Sequence, residues 1–139
     1  MITIEKALIL RSVEIFSSLS DEKLAFVAPL LVEMYFSKGD AIIRRDELSS
    51  QMYIIVEGEV QVQVNQRVLA TLHQRDVFGE FSALDPERRT ADVIATKECL
   101  LLQLDHQALK DVMEQHPEIA FGIIRFLCKR LRSIVAAKN

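Results

Sequence analysis

The sequence predicts a mainly β fold with flanking helices: a β-sandwich or roll of about eight short strands, with N-terminal helices before it and two helices after it. Three observations carry this reading. Apolar residues recur at three- and four-residue spacing near both ends of the chain. Between Val32 and Leu104 the apolar period falls to two, or closes into short apolar runs. Turn signals break that middle region at spacings of about ten residues, as in sandwiches and rolls. Neither a repeat nor a low-complexity segment interrupts the 139 residues. One domain is therefore expected: helices over 1–31, the β-region over 32–104, and helices over 105–139.

The elements follow in order. Residues 3–10 have helical spacing, with Ile4, Leu8 and Ala7 as the expected inner edge. Glu14 to Leu19 reads as a short turn that buries Ile15 and Phe16. Ser20 is a good N-cap, and Asp21 and Glu22 suit the first turn of a helix dipole. Leu24, Val27, Ala28 and Leu31 form its apolar face, and Pro29 marks its end. Val32, Met34 and Phe36 alternate with polar neighbours. Lys38-Gly39-Asp40 is a turn, Ala41–Ile43 a strand and Arg44 to Gln51 a polar loop. Met52–Val56 is a β-rich run, turned back by Glu57-Gly58-Glu59. Val60–Val64 alternates strictly, so one face is buried and one is wet. Asn65-Gln66-Arg67 closes a hairpin into Val68–Leu72, and Cys99–Leu104 is a buried strand. Asp105 caps a helix over 106–115, and Pro117 opens a second that runs towards the C-terminus. Its apolar stripe comprises Ile119, Ile123, Phe126, Leu127, Leu131 and Ile134.

Composition narrows the function classes. Half of the residues are apolar, enough for a real core, and four Gly and three Pro leave no long flexible linker. No apolar run approaches the ~18 residues of a membrane span, so no membrane contact is expected, and a cytoplasmic setting is the default. The net charge of −3 argues against direct nucleic-acid binding, which needs a basic face. Cys99 and Cys128 read as two buried, reduced thiols, and without a CxxC pair a zinc site is not expected. His73, His106 and His116 read as surface residues. Only His73 lies in the β-region, too few for a cupin-like metal site. Asp85, Glu87 and Asp92 read as solvated charges. No Ser–His–Asp or Cys–His arrangement stands out, so catalysis is not expected.

One stretch does not fit the β pattern. Between β-like ends at Phe78 and Ala95, Gly79 permits a tight turn, and Glu80 follows it. Ser82 to Asp85 reads as one helical turn stopped before Pro86. Arg89 lies nine residues after Glu80. A carboxylate, a guanidinium and a helix start held together suit a small anion that also carries hydroxyls. Arg offers a planar fork to phosphate oxygens, and Glu accepts from sugar hydroxyls.

Phe78-Gly79-Glu80, the step to Arg89 and the following Thr90-Ala91 resemble the phosphate-binding cassette of cyclic nucleotide-binding domains, the family of catabolite-activator-like proteins and protein-kinase regulatory subunits. Lys38-Gly39-Asp40, the run from Tyr53 to Val60 and the run from Arg75 to Glu80 extend the resemblance over roughly residues 13–135. The resemblance implies an eight-stranded β-roll (a double-stranded β-helix or jelly-roll) that binds cAMP or cGMP, with the cassette over 78–91 and no other cofactor. It implies a ligand-binding set of Gly79, Glu80, Phe81, Ser82, Ala83, Arg89, Thr90 and Ala91. Glu80 matches the residue on the ribose 2′-hydroxyl and Arg89 the residue on the cyclic phosphate. Backbone groups at Gly79, Ser82 and Ala83 match those lining phosphate and sugar, and Thr90 matches a position that contacts phosphate and purine. The final helix matches the lid and relay, with Leu131, Ile134 and Val135 as the residues over the base.

The resemblance departs at two turns. Relatives usually carry Gly where this chain has Arg45 and Arg75, which puts turn geometry in question rather than ligand contact. The expected role is a non-enzymatic sensor that signals through its C-terminal helix, alone or within a larger effector protein. A homodimer through that helix would cover its later apolar positions. The alternative is a structural or protein-interaction domain of the same fold that has lost physiological nucleotide binding. In the blander reading of the cassette, Glu80 and Arg89 form a salt bridge that holds the loop.

Overall fold

The computed structural model describes residues 1–138, which divide into two compact units. One unit comprises residues 31–109 and holds all the β-structure. The other comprises residues 1–30 and 110–138 of the described chain, and its regular elements are helical.

In the helical unit, α1 (Thr3–Arg11) and α2 (Asp21–Val27) flank a 3₁₀ turn over Glu14–Phe16. The Ser20 side chain caps α2 by accepting from the Lys23 amide at 3.3 Å. Pro29 cannot continue the helix, and the chain leaves it through a 3₁₀ turn over Ala28–Leu30. Leu24, Val27 and Ala28 are buried as expected, as are Ile15 and Phe16. The predicted inner edge of α1 is wrong: Ile4 is 70% exposed and Leu8 is exposed, while Ile9 and Leu10 are buried. This helix is apolar on several sides, so periodicity alone could not choose its inner face.

The same unit contains the end of α4 (His106–Gln115) and all of α5 (Pro117–Lys138). Ile119 and Ile123 anchor α5 in the core, but its later positions Leu131, Ile134 and Val135 are exposed. His116 stacks on Phe26 with ring centroids 3.8 Å apart, so it is not a free surface residue. Cys128 is exposed, contrary to the expectation of two buried thiols. Cys99 is buried, and desolvation pushes its thiol pKa up.

The β unit has ten strands rather than about eight. They are β1 (Val32–Phe36), β2 (Ala41–Ile43), β3 (Leu48–Ser49), β4 (Gln51–Glu57), β5 (Val60–Val64), β6 (Arg67–Leu72), β7 (Val77–Phe78), β8 (Glu87–Arg88), β9 (Asp92–Ala95) and β10 (Cys99–Asp105). The five-residue helix α3 (Glu80–Leu84) lies between β7 and β8. Two antiparallel four-stranded sheets run in the orders β1-β10-β4-β7 and β2-β9-β5-β6. One core cluster draws on both, including Ile43, Ile55, Val60, Phe78, Val93 and Leu101. Each fully buried aliphatic side chain there contributes about 1.5–3 kcal/mol. The two strands missing from the sequence reading, β3 and β8, are two residues each and pair only with one another. Their residues, Leu48-Ser49 and Glu87-Arg88, carry no β signature; pairing makes them strands.

The turns that lack glycine settle differently. Arg75 does adopt a left-handed conformation, at φ 75°, where Cβ meets the backbone. Its amide bonds to the Ile55 carbonyl at 2.7 Å, so the turn is held despite the strain. In the other turn the left-handed residue is Asp46 at φ 70°, not Arg45. Asp tolerates that region better than most residues. Arg75→Gly is therefore expected to stabilise the fold by about 0.5–1 kcal/mol. Thermal melts check it, and a lower melting temperature would refute the strain argument.

Candidate nucleotide-binding site

The site is built where β7 runs into α3. Phe78 pairs with Tyr53 of β4, and their rings stack with centroids 5.2 Å apart. This fixes the strand that delivers Gly79. Gly79 then turns left-handed at φ 76° and starts α3. A side chain could not occupy this position, because an added Cβ would lie 2.6 Å from Arg89 Nη1 and 2.8 Å from the Gln51 carbonyl oxygen. The absent Cβ is the space in which the Arg89 guanidinium sits.

Arg89 arrives from the opposite side. Its amide donates to the Glu47 carbonyl at 2.9 Å, and its carbonyl accepts from the Asp46 amide at 2.8 Å. Its neighbour Arg88 donates to the Asp46 carbonyl at 2.9 Å, so Arg88 clamps the loop. The Arg89 side chain turns inward and is only 9% exposed. Nη1 donates to Ser82 Oγ at 3.0 Å, and Nη2 donates to Ser49 Oγ at 2.7 Å and to the Gln51 carbonyl. Nε is buried without a hydrogen-bond partner. Desolvation pushes the guanidinium pKa down from the usual arginine range, and Tyr53 and Glu80 partly oppose that shift.

The salt-bridge reading of Glu80 and Arg89 is not what the structure shows. Among the described residues, no ion pair joins them; the Arg89 partners are two hydroxyls and a carbonyl. Ser49 and Gln51 were missed by sequence reasoning. They lie at the short β3 and the start of β4, in a segment that reads as a polar loop, and no spacing rule links them to Arg89.

Arg89 and Ser82 lie on the wall of an open cavity of about 390 Å³, formed by Val77–Ser82 and Glu87–Thr90. That size falls in the range of small-molecule sites. Of the expected ligand set, Gly79, Glu80, Phe81, Ser82, Arg89 and Thr90 are brought together on its wall. Ala83 and Ala91 are not. Ala83 is fully buried. The Ser82 and Ala83 amides both point to the Gly79 carbonyl, at 3.0 and 3.4 Å, so these two donors are engaged within α3. His106, expected on the surface, is half-buried, with Nδ1 2.7 Å from the Ala83 carbonyl oxygen. Leu131, Ile134 and Val135 belong to the helical unit, on the exposed last turns of α5. Among the described residues, no cluster of His, Cys, Asp and Glu is arranged to hold a metal, and no helix is long and apolar enough to cross a membrane.

A mainly β unit with a buried arginine on the wall of an open cavity at a strand–helix turn has the build of a small-ligand binding module. Comparison with known proteins makes the class specific: a family model described as cyclic nucleotide-binding domain matches residues 33–116, and the chain belongs to that family. It is 28% identical over 129 residues to a CRP-like cAMP-activated global transcriptional regulator of Mycobacterium tuberculosis, covering 89% of this chain and 58% of that protein. It is 35% identical over 137 residues to the mouse (Mus musculus) cyclic nucleotide-gated channel beta-3, covering 94% of this chain and 19% of the channel. The chain thus spans only part of each curated relative. Among solved structures, the N-terminal domain of a transcriptional regulator from Streptomyces coelicolor A3(2) superposes with a TM-score of 0.85 at 29% identity, covering 94% of this chain and 95% of that one.

Proposed function

We propose that the chain is a non-enzymatic sensor that binds cAMP or cGMP in the cavity beside Arg89 and passes the occupancy on through its C-terminal helices. The observation that carries this reading is the state of Arg89. It is a buried guanidinium with an unpartnered Nε and no carboxylate partner, on the wall of an open cavity. Glu80 offsets the desolvation of this cation only in part and makes no ion pair with it, so an anion entering the cavity supplies the paired counter-charge. A cyclic phosphodiester brings a single negative charge, and its ribose hydroxyl suits Glu80 on the same wall. Thr90, also on that wall, is the residue to test for preference between adenine and guanine.

Thermal unfolding with each nucleotide tests the reading. A ligand at 100 times its dissociation constant adds about 2.7 kcal/mol of stability, so a clear upward shift is expected with at least one of the two. The nucleotide that shifts at the lower concentration is the preferred ligand. The absence of a shift with either at millimolar concentration would favour a protein-interaction domain that has lost nucleotide binding.

A second copy of the chain is the proposed partner of α5. Its exposed positions Phe121, Ile124, Cys128, Leu131 and Val135 repeat at alternating spacings of three and four, the pattern of a two-helix seam. Sedimentation should give a dimer that Leu131→Glu dissociates; a monomer at all concentrations excludes it.

A further inference from the structure

The hydrogen bonds around Arg89 do not end at the cavity. They close into a ring through the junction of β10 and α4. On one side Arg89 holds Ser82, and the next carbonyl along α3, that of Ala83, meets His106 Nδ1 at 2.7 Å. A carbonyl only accepts, so Nδ1 carries the proton and donates. On the other side Arg89 holds the Gln51 carbonyl. The Gln51 side chain donates to Asp105 Oδ1 at 3.1 Å, and Ser50 Oγ donates to the same oxygen at 2.9 Å. The His106 amide donates to the Ser50 carbonyl at 2.8 Å, and Asp105 Oδ2 accepts from the Gln107 amide at 3.1 Å. Asp105 and His106 therefore touch both walls of the Arg89 cradle and also start α4.

We infer that Asp105 and His106 are positioning residues that couple occupancy of the Arg89 cradle to the first turn of α4. A phosphate that engages the guanidinium competes with Ser82 and with Gln51. A shift of Ser82 moves α3 and the Ala83 carbonyl held by His106. A shift of Gln51 moves the amide held by Asp105. Both displacements arrive at adjacent residues, so the α4 start registers the occupied state through two independent bonds. This inference rests on the proposed nucleotide site.

Amide hydrogen exchange on the full chain, with and without cAMP or cGMP, tests it. Calorimetry with the same nucleotides runs alongside. In the native sequence, nucleotide should change exchange at residues 106–109. His106→Leu removes the donor; it should weaken binding roughly fivefold and abolish that ligand-linked change. His106→Asn restores an N–H near the position of Nδ1 and should return both. A His106→Leu protein that binds and keeps the native exchange change would overturn the inference, as would a folded His106→Asn protein that rescues neither property. If calorimetry shows no binding to the native chain, the nucleotide reading itself fails and the coupling falls with it.

Discussion

Arg89→Ala is expected to weaken cyclic-nucleotide binding by at least roughly a hundredfold. Hydrogen bonds to charged groups contribute about 1.5–3 kcal/mol each, and a phosphate fork makes two. The variant should still fold. It leaves Ser49, Ser82 and the Gln51 carbonyl without their donor, but it also removes a buried cation with an unmet N–H. These opposing effects should keep the stability change within about 2 kcal/mol. Calorimetry paired with a thermal melt separates the two quantities. Arg89→Lys should not rescue binding, because a single ammonium cannot reproduce the planar fork. Unchanged affinity in Arg89→Ala would remove Arg89 from the site.

Gly79→Ala should be the most damaging small substitution in the cassette. The position is left-handed, and the new methyl would meet both terminal nitrogens of Arg89 and the backbone oxygen of Gln51. A guanidinium at the end of a flexible side chain gives way more cheaply than a backbone oxygen in a paired strand, so most of the displacement falls on Arg89. Strain and displacement together should destabilise the fold by about 2–4 kcal/mol. Nucleotide affinity should fall with it, since Arg89 loses its seat. Gly39→Ala provides the comparison. Its φ is +95°, but nothing lies within 4 Å of the added carbon, so only backbone strain of about 1 kcal/mol is expected. Equal melting temperatures for the two variants would show that the steric argument at Gly79 is empty.

What the residues announce in advance divides along physical lines. Strands with period-two alternation, such as β5, and a capped helix such as α2 were readable, because their signals are local. The cassette was readable through Gly79, Glu80 and Arg89, whose types and spacing carry the chemistry in themselves. The partners of Arg89 were not. Ser49 reaches it from β3, which pairs with β8, and the Gln51 carbonyl from the start of β4, contacts that no periodicity announces. The inner face of α1 was misread for a related reason. Where several sides of a helix are apolar, packing partners decide which is buried, and those partners are distant in sequence. The role of His106 depends on a carbonyl oxygen, which every residue has and no sequence displays.

The burial of Arg89 on the wall of an open cavity bears on how long the protein lasts in a cell. On the proposed reading, the empty chain is its least stable form, since bound nucleotide stabilises the native state alone. Proteases draw on the transiently opened population, which shrinks as ligand stabilises the native state. Turnover would then follow nucleotide concentration: slow clearance when the second messenger is plentiful, faster clearance when it is scarce. The same buried arginine that receives the ligand would set the abundance of the receptor.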